Sequence, residues 1–224
     1  MVSVLLKKVA FCFLLCYPVL TACVQASEKE VSDSPTESSE EKIATLAGGC
    51  FWCLEAVFER MIGVNDVISG YTGDETVRNP TYALIGTKQT MHAEAVQIYY
   101  DPSVITYTDL LEVFFTIHDP TTPNQQGADI GPQYRSVIFY HDDQQKAEAE
   151  AMISKLTQKQ YFRAPIVTEL TQLGTWWDAE EYHQDYFRRN PRQGYCRAVV
   201  ASKVRKFNNV FKDKVRKDGV GSRP

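Results

Sequence analysis

Two cysteines stand three positions apart, directly after a pair of glycines. Cys50 follows Gly-Gly at 48–49, and Cys53 completes a C-x-x-C pair at the start of an apolar segment with helical periodicity. The free N–H groups and positive dipole end of a helix favour a thiolate, so we expect the pKa of Cys50 to be lowered. The spacing places Cys53 on the same helix face, within reach of a disulfide if the first turn adjusts.

A carboxylate occupies a second position that could do chemistry. Residues 92–100 alternate so that Glu94 shares a strand face with Val96 and Ile98. Burial disfavours the charged form, so we expect the pKa of Glu94 to be raised and the protonated side chain to suit a general acid. The alternative is a strand-end glutamate that pairs with an arginine or turns out to water.

The elements that position these residues follow from the spacing of apolar residues. Strands are predicted at 43–47, 64–71, 92–100, 136–141 and 166–173. Helices are predicted from the cysteine pair to Gly63, at 106–117 behind a Thr106–Asp109 cap, at 142–159, at 178–189 behind an Asp178–Glu181 capping box, and around 204–211. Polar loops are expected at 72–90 and 119–133, and an irregular stretch in which Cys196 could move at 194–196.

This order of elements predicts the fold class. Strands alternate with helices but also follow one another directly, which favours a mixed sheet over a purely parallel one. We therefore predict an α+β two-layer sandwich of the ferredoxin-like type, with helices packed mainly on one side of a mixed β-sheet. The domain is expected to extend over residues 43–212.

The ends of the chain predict export. Residues 1–22 combine two lysines with a short apolar run, and Cys23 stands where the lipobox of bacterial lipoproteins has its lipidated cysteine. That resemblance implies a membrane anchor with the domain outside the cytoplasm, in the periplasm or at the cell surface; an ordinary secretory signal is the alternative. Residues 23–42 have the composition of a disordered tether, and 213–224 form a basic tail that we expect to be solvated rather than bound to an anionic partner. A net charge of -4 argues against nucleic-acid binding.

Several segments together resemble the A class of peptide methionine sulfoxide reductases, in order and in spacing. The resemblance covers about residues 43–207, and the sequence departs from the usual pattern at Met91, where the family has glycine, and at the Trp pair 176–177. The matching segments are Gly49-Cys50-Phe51-Trp52, Asn79-Pro80-Thr81-Tyr82, His92-Ala93-Glu94, Asp129-Ile130-Gly131-Pro132-Gln133-Tyr134-Arg135-Ser136, Tyr182-His183-Gln184-Asp185-Tyr186 and Gly194-Tyr195-Cys196.

The resemblance implies a reaction at Cys50. The thiol would attack the sulfur of an S-epimer methionine sulfoxide, free or in a protein, while Glu94 protonates the departing oxygen and Tyr82 and Tyr134 hydrogen-bond to it. The products would be methionine and a Cys50 sulfenic acid. Three further residues would bind substrate by the same resemblance: Phe51 and Trp52 through the methyl group, and Asp129 by binding the main chain or ordering the pocket.

The resemblance also implies how the enzyme is reset. A sulfenic acid condenses with a nearby thiol, and Cys53 or Cys196 could supply it. Members with the same second cysteine use it first, and Cys196 would then carry the disulfide onward. No metal and no organic cofactor is implied, only an external dithiol such as a thioredoxin-like protein. The implied partners are oxidised proteins and this electron donor, and nothing demands more than a monomer.

Three other functions compete with this one. A thiol-disulfide oxidoreductase would use Cys50 and Cys53 but leaves Glu94 and the two tyrosines without a task. A lipoprotein with a structural metal would hold it with Cys50, Cys53, Cys196 and a histidine such as His183. A structural lipoprotein without chemistry does not account for a core-facing acid near a helix-start thiol.

Overall fold

The structure is a computed structural model that describes residues 40–217. The predicted signal segment, the lipidated Cys23, most of the predicted tether and the last seven residues of the basic tail lie outside the described residues. Those interpretations therefore stay predictions. Within residues 40–217, none of the helices combines the length and apolarity needed to cross a bilayer.

A mixed six-stranded sheet forms the centre of the domain, in the order β7-β6-β1-β3-β2-β8. Only β6 and β7 pair in parallel, and the other neighbours are antiparallel. A separate hairpin pairs two strands of two residues each, β4 and β5. The strands are β1 (Lys42–Gly48), β2 (Val64–Thr72), β3 (Ala93–Tyr100), β4 (Gln125–Gln126), β5 (Asp129–Ile130), β6 (Ser136–Tyr140), β7 (Glu169–Gln172) and β8 (Trp177–Asp178).

Six α-helices accompany the sheet in the described part of the chain. They are α1 (Phe51–Phe58), α2 (Tyr82–Gly86), α3 (Tyr107–Ile117), α4 (Asp143–Gln158), α5 (Tyr186–Arg189) and α6 (Ala201–Val210). Two 3₁₀ turns, Pro132–Tyr134 and Glu181–His183, and a π-helical segment, Cys196–Val200, complete the structure. The Thr106–Asp109 capping box predicted for α3 is confirmed, with both reciprocal bonds present.

The two faces of the sheet are covered differently. The main apolar core joins one face, which carries Leu46, Val96 and Ile98, to α1, α3, α4 and α6. The opposite face carries a small cluster of short side chains together with Phe139, and partly buried Leu173 and Trp176 pack against it. The prediction of an α+β fold built on a mixed sheet is confirmed.

The prediction of a single helix over 178–189 is wrong. Asp178 belongs to β8, and the chain then makes a 3₁₀ turn and the short α5, separated by Asp185 in the left-handed region with φ of 56°. Tertiary hydrogen bonds cause the break: the Gln184 amide bonds both backbone groups of Ser69, and the Asp185 N–H donates to the Glu55 carboxylate at 2.9 Å. Contacts with distant elements override the local capping signal.

Three other expectations also need correction. The predicted loop 72–90 contains α2, whose first turn is capped by the Thr81 hydroxyl. Residues 194–196 are helical rather than irregular, because they lead directly into the π-helical segment and α6. Part of the expected solvated tail is ordered: Val215 bridges Met61, and the carbonyl of Lys214 accepts from Ile62 N–H at 2.8 Å.

Candidate active site

The glycine pair places Cys50 at the first turn of α1. Gly49 has a φ of +96°, and a Cβ there would lie 2.5 Å from the Gln126 side chain. A Cβ on Gly48 would lie 2.8 Å from the Phe114 ring. Only glycine therefore allows β1 to turn this tightly into α1. Cys50 is the N-cap residue, which confirms the predicted helix start.

The expected lowering of the pKa of Cys50 is wrong. Burial of the sulfur raises its pKa well above the ordinary thiol value, and the hydrogen bond with Cys53 and the nearby Glu94 carboxyl add to the rise. The backbone N–H of Trp52 acts in the opposite direction but does not outweigh them. Desolvation therefore exceeds the favourable field of the helix start, and Cys50 rests as a protonated thiol.

Glu94 lies inside the domain beside this thiol. Its side chain is 1% exposed, and Oε2 accepts the Phe51 N–H at 3.2 Å. Burial raises its pKa to about 8, although the bond from Phe51 lowers it. Both predictions for Glu94, its core-facing side and its raised pKa, are confirmed. The carboxyl is protonated at neutral pH and can donate a proton.

Tyr82 and Tyr134 approach Glu94 and Cys50 from separate segments of the chain. Tyr82 opens α2, and Tyr134 ends the 3₁₀ turn that begins at Pro132. Burial raises the pKa of Tyr82 to about 12 and also raises that of Tyr134, and the nearby Glu94 and Cys50 add to both shifts. Both phenols therefore keep their protons and remain hydrogen-bond donors.

An aromatic wall stands beside Cys50. Trp52 stacks on Tyr186 with ring centroids 3.7 Å apart and an interplanar angle of 6°. Phe51 packs against the His183 ring at 5.2 Å, and the Trp52 indole N–H donates to His183 Nδ1 at 3.2 Å. These rings provide an apolar surface that suits a methyl group.

Cys53 faces a different set of partners. Its Sγ lies 4.0 Å from the Tyr195 hydroxyl, which donates to Asp129 Oδ2 at 2.5 Å. The hydrogen bond from Cys50 lowers the pKa of Cys53, burial raises it, and the positive charge of Lys203 contributes to the net lowering. Asp129 is thus bonded to the tyrosine that approaches Cys53, and Cys53 is the more acidic of the two thiols.

Cys196 is fully buried at the start of the π-helical segment. Burial raises its pKa, and interaction with Cys53 adds to the rise. Cys196 therefore lies close enough to Cys53 for the two groups to interact electrostatically. All three cysteines of residues 40–217 are free thiols.

The proposed metal ligands do not gather into one set. Among the described residues, the only group of three or more potential ligands with atoms within 4.8 Å of one another is Glu55, Glu59 and Asp185. Glu55 accepts backbone N–H bonds at 2.9 and 3.3 Å, and Asp185 pairs with Arg188 at 2.6 Å. These contacts already use carboxylate oxygens of Glu55 and Asp185, and His183 Nδ1 accepts the Trp52 indole N–H.

Sequence analysis missed three residues around the pocket. In the sequence, His183 stands out only within a matching segment and as a ligand of the alternative metal site, Glu180 does not stand out, and Tyr195 stands out only as the neighbour of Cys196. Their positions depend on the break after residue 178, which local patterns did not predict. The Gly-Tyr-Cys segment was the one available signal, since it brings a hydroxyl next to a cysteine.

The chain was compared with known families, sequences and structures. The family model described as peptide methionine sulfoxide reductase matches residues 42–215. Peptide methionine sulfoxide reductase MsrA 1 of Rhodopirellula baltica is 57% identical over 192 residues, which are 86% of this chain and 98% of that relative. MsrA of Sulfolobus acidocaldarius is 53% identical over 77% of this chain and 97% of its own length.

Two solved structures resemble this fold. Reduced Mxr1 from Saccharomyces cerevisiae aligns with a TM-score of 0.65 and 36% identity, over 70% of this chain and 89% of that one. Methionine sulfoxide reductase A of Corynebacterium diphtheriae aligns with a TM-score of 0.61 and 33% identity, over 68% and 76% respectively. The region matched by the family model, 42–215, contains every element that surrounds Cys50 and Glu94.

Proposed function

Because the chain belongs to the peptide methionine sulfoxide reductase family, it is an oxidoreductase that reduces methionine sulfoxide, and we propose that Cys50 carries out this reaction on the S epimer. The observation that carries the proposal is the placement of a helix-start thiol beside a buried, protonated carboxyl. A sulfoxide oxygen leaves poorly unless it is protonated, and Glu94 is the acid in reach.

The proposed first step transfers one oxygen atom. The Cys50 sulfur attacks the sulfoxide sulfur, Glu94 gives its proton to the oxygen, and the thiol proton restores Glu94. The attack joins the Cys50 sulfur to the substrate sulfur. The hydroxyl group then passes to the Cys50 sulfur as this S–S bond and the substrate S–O bond break. Methionine leaves and Cys50 becomes a sulfenic acid, so the enzyme sulfur is oxidised by two electrons as the substrate sulfur is reduced. The raised pKa of Cys50 means that deprotonation accompanies this step rather than preceding it.

Tyr82 and Tyr134 stabilise the oxygen as charge develops on it. Both keep their hydroxyl protons, because burial and the neighbouring Glu94 raise their pKa values. Donors fixed before the reaction lower the barrier without reorganisation. Phe51 and Trp52 hold the substrate methyl, and Asp129 acts through its bond to Tyr195.

Cys53 resolves the sulfenic acid. Its sulfur attacks the Cys50 sulfur, the proton of the Cys53 thiol leaves with the sulfenic hydroxyl group as water, and a Cys50–Cys53 disulfide forms. The hydrogen bond between the two sulfurs supports this order, and the interaction of Cys196 with Cys53 supports an onward exchange that frees Cys50. A thioredoxin-like dithiol then reduces the remaining disulfide, with no cofactor involved.

The cellular setting is a separate part of the proposal. The sequence Leu-Thr-Ala before Cys23 supports removal of residues 1–22 and lipidation of Cys23, and residues 23–42 would then tether the domain 43–212 outside the cytoplasm. The enzyme would there repair oxidised exported proteins as a monomer, with 213–224 as its basic end. Labelling with a radioactive fatty acid tests this: loss of label in Cys23→Ala is expected, and an unlabelled parent protein contradicts it.

We also propose that the domain has a ferredoxin-like fold. Its support is the succession β1-α1-β2-β3-α3-β6, in which the four strands lie in the order β6-β1-β3-β2 with antiparallel neighbours. The edge strands β7 and β8 would be additions to that unit. Superposition of those four strands and two helices on unrelated ferredoxin-like domains tests the label.

A direct assay tests the chemistry. Peptides that contain each epimer of methionine sulfoxide would be offered separately to the reduced enzyme with a dithiol, and methionine would be measured. Reduction of only the S epimer is expected. Reduction of the R epimer alone, or of neither epimer by folded protein, contradicts the proposal. Disulfide exchange on a scrambled protein, without sulfoxide reduction, would favour the thiol-disulfide oxidoreductase.

A further inference from the structure

The turn before Cys50 is supported from two sides. Gly48, the last residue of β1, lies over the end of α3, where the Phe114 ring approaches it. Gly49 is supported from another direction, because the three atoms nearest to a Cβ placed there all belong to the Gln126 side chain. Gln126 lies on β4, in the long loop between α3 and β6. A side chain of this loop therefore contacts the turn that carries the reactive thiol.

The support beneath Gly48 is uncharged and tied to the sheet. Burial lowers the pKa of His118 to about 3, so its ring is neutral. His118 Nδ1 donates to the Phe114 carbonyl at 2.6 Å, and Nε2 therefore accepts the Ser136 hydroxyl at 2.8 Å. Ser136 is the partner of Gly48 in the pairing of β6 with β1. This side of the turn is thus held by hydrogen bonds that do not involve the loop after α3.

The Gln126 amide bonds both backbone groups of one residue. Its Oε1 accepts the Asp119 N–H at 3.1 Å, and its Nε2 donates to the Asp119 carbonyl at 3.1 Å. The two bonds hold the side chain in one orientation, with Cβ and Cγ against Gly49. Both polar ends of the amide are therefore used within the protein, which suits a supporting role rather than a contact with the sulfoxide.

Gln126 is also connected to the residues that act on the sulfoxide oxygen. It pairs with Asp129 across the β4–β5 hairpin. The Gly131 N–H donates to the Asn124 carbonyl at 2.9 Å and closes the hairpin, and the Tyr134 N–H donates to the Gly131 carbonyl at 3.0 Å. A displacement of Gln126 is therefore transmitted through backbone hydrogen bonds to Asp129 and Tyr134.

We propose that Gln126 is a positioning residue that holds the loop of Asp129 and Tyr134 against the turn of Cys50. It thereby fixes the distance between the attacking sulfur and the phenol that bonds the sulfoxide oxygen. Gln126 contacts no substrate atom and moves no proton. The inference rests on the proposed function, because the roles of Cys50 and Tyr134 come from it.

Loss of the amide is expected to slow the chemical step more than it weakens substrate binding. Gln126→Met keeps Cβ and Cγ against Gly49 but removes both bonds to Asp119. A misplacement of about 1 Å can cost roughly a hundredfold in rate, so methionine formation in a single turnover at saturating peptide should slow by about tenfold to a hundredfold. The peptide concentration that gives half the maximal rate should change by less than about threefold, because Phe51 and Trp52 still hold the methyl group.

Gln144→Met is the matched control. Gln144 is exposed on α4, and its Nε2 donates to Glu148 Oε1 at 3.0 Å. The substitution makes the same chemical change and also removes a side-chain amide bond, but at a position outside the site. Both the rate and the half-saturating concentration should stay at the parental values.

Gln126→Glu tests whether the two bonds to Asp119 are what matters. A protonated carboxyl can accept from and donate to Asp119 as the amide does, whereas the charged form cannot donate. The neighbouring carboxylates of Asp119 and Asp129 disfavour the charged form, so the pKa of the introduced carboxyl should lie above the ordinary value. The ratio of the variant rate to the parental rate should therefore rise as pH falls from about 8 to about 5. Taking the ratio removes the contribution of Glu94 to the profile.

The outcomes distinguish the inference from its premise. An inactive parent enzyme contradicts the proposed function itself. With an active parent, an unchanged rate in Gln126→Met overturns the positioning role and leaves the function in place. A change confined to the half-saturating concentration also overturns it, because Gln126 would then act in binding. If thermal melting shows that Gln126→Met is unfolded, the pH series of Gln126→Glu carries the test, and a ratio that is constant with pH overturns the inference.

Discussion

The two thiols of the first turn of α1 occupy opposite chemical environments. Cys50 faces the buried Glu94, and burial raises its pKa. Cys53, three residues later, accepts a hydrogen bond from Cys50 and approaches Tyr195, and its pKa is lowered. The same helix end serves both, so position on a helix does not decide thiol acidity here. Solvation and the nearest partners decide it.

A lysine on α6 strengthens the contrast between the environments of Cys50 and Cys53. The Lys203 Nζ atom is buried and has no hydrogen-bond partner, and its positive charge favours the Cys53 thiolate. No comparable cation is among the groups that shift the pKa of Cys50. The Cys50 side is therefore suited to a thiol that reacts only with an acid-activated substrate. The Cys53 side is suited to a thiolate that is ready to attack a sulfenic acid.

The largest expected effect is the loss of methionine formation when Cys50, but not Cys53, is replaced by serine. Cys50→Ser removes the attacking atom, so no methionine should form from either free or peptide substrate. Cys53→Ser keeps that atom, so it should complete one turnover at the parental rate and then stall with thioredoxin as donor. Methionine formed per enzyme, measured by chromatography, distinguishes them. Continuous turnover of Cys53→Ser at the parental rate would show that Cys196 or the donor resolves Cys50 directly.

The next effect tests the acid on the Cys50 side. Glu94→Gln cannot donate the proton, and methionine formation should fall by about 10² to 10⁴. The parental rate should decline as pH rises through about 8, because the protonated carboxyl is lost there. The variant should lack that decline. Single-turnover rates from pH 6 to pH 10 measure both; a parental profile without the decline would remove Glu94 from the acid role.

A smaller effect tests the cation on the Cys53 side. Lys203→Met removes the positive charge that favours the Cys53 thiolate, so its pKa should rise and disulfide formation at pH 7 should slow severalfold. Methionine formation should not change. Lys212→Met makes the same change at an exposed position and is the control. Equal rates of disulfide formation in the two variants would show that Lys203 has no such role.

The smallest effect concerns stability. The pKa of Glu94 is about 8 in the folded state and 4.5 as an ordinary carboxyl, so the folded state holds the proton more tightly. Stability from this group is therefore lost as pH rises from about 4.5 to about 8. Glu94→Gln has no such loss, so its melting temperature should rise relative to the parent between pH 5 and pH 9. Glu150→Gln, on the exposed surface of α4, should not follow this trend.

Local sequence patterns were sufficient to predict part of the site. A strand has a side-chain period of two, so the two apolar residues Val96 and Ile98 predicted the inward direction of Glu94. The glycine pair fixed the start of α1 because a turn of this tightness excludes a Cβ. The Thr106 cap was predicted for the same reason, since both of its bonds lie within four residues. Each of these features depends on near neighbours in the chain.

The features that sequence analysis did not predict depend on distant contacts. The acidity of Cys50 is set by burial beneath segments from several parts of the chain, which no local pattern reveals. The break at Asp185 requires the Glu55 carboxylate, 130 positions earlier. Glu180 and His183 come to the pocket on the 3₁₀ turn between β8 and Asp185, where a continuous helix is predicted from the sequence. The sequence thus predicted the features of the site that depend on near neighbours in the chain. It did not predict the features that depend on burial or on hydrogen bonds between distant residues.

The last described residues have a consequence for the order of events during synthesis. The Arg216 N–H bonds the Arg60 carbonyl at 2.9 Å, and Val215 bridges Met61, directly after the helix that begins at Cys50. A chain emerges from the ribosome amino end first, so this support for α1 arrives near the end of translation. Until then, the turn that carries Cys50 has been synthesised but lacks the contacts that residues 215–216 make with residues 60–61. A nascent chain halted before residue 215 should therefore expose its cysteines to alkylation, and release of the full chain should protect them.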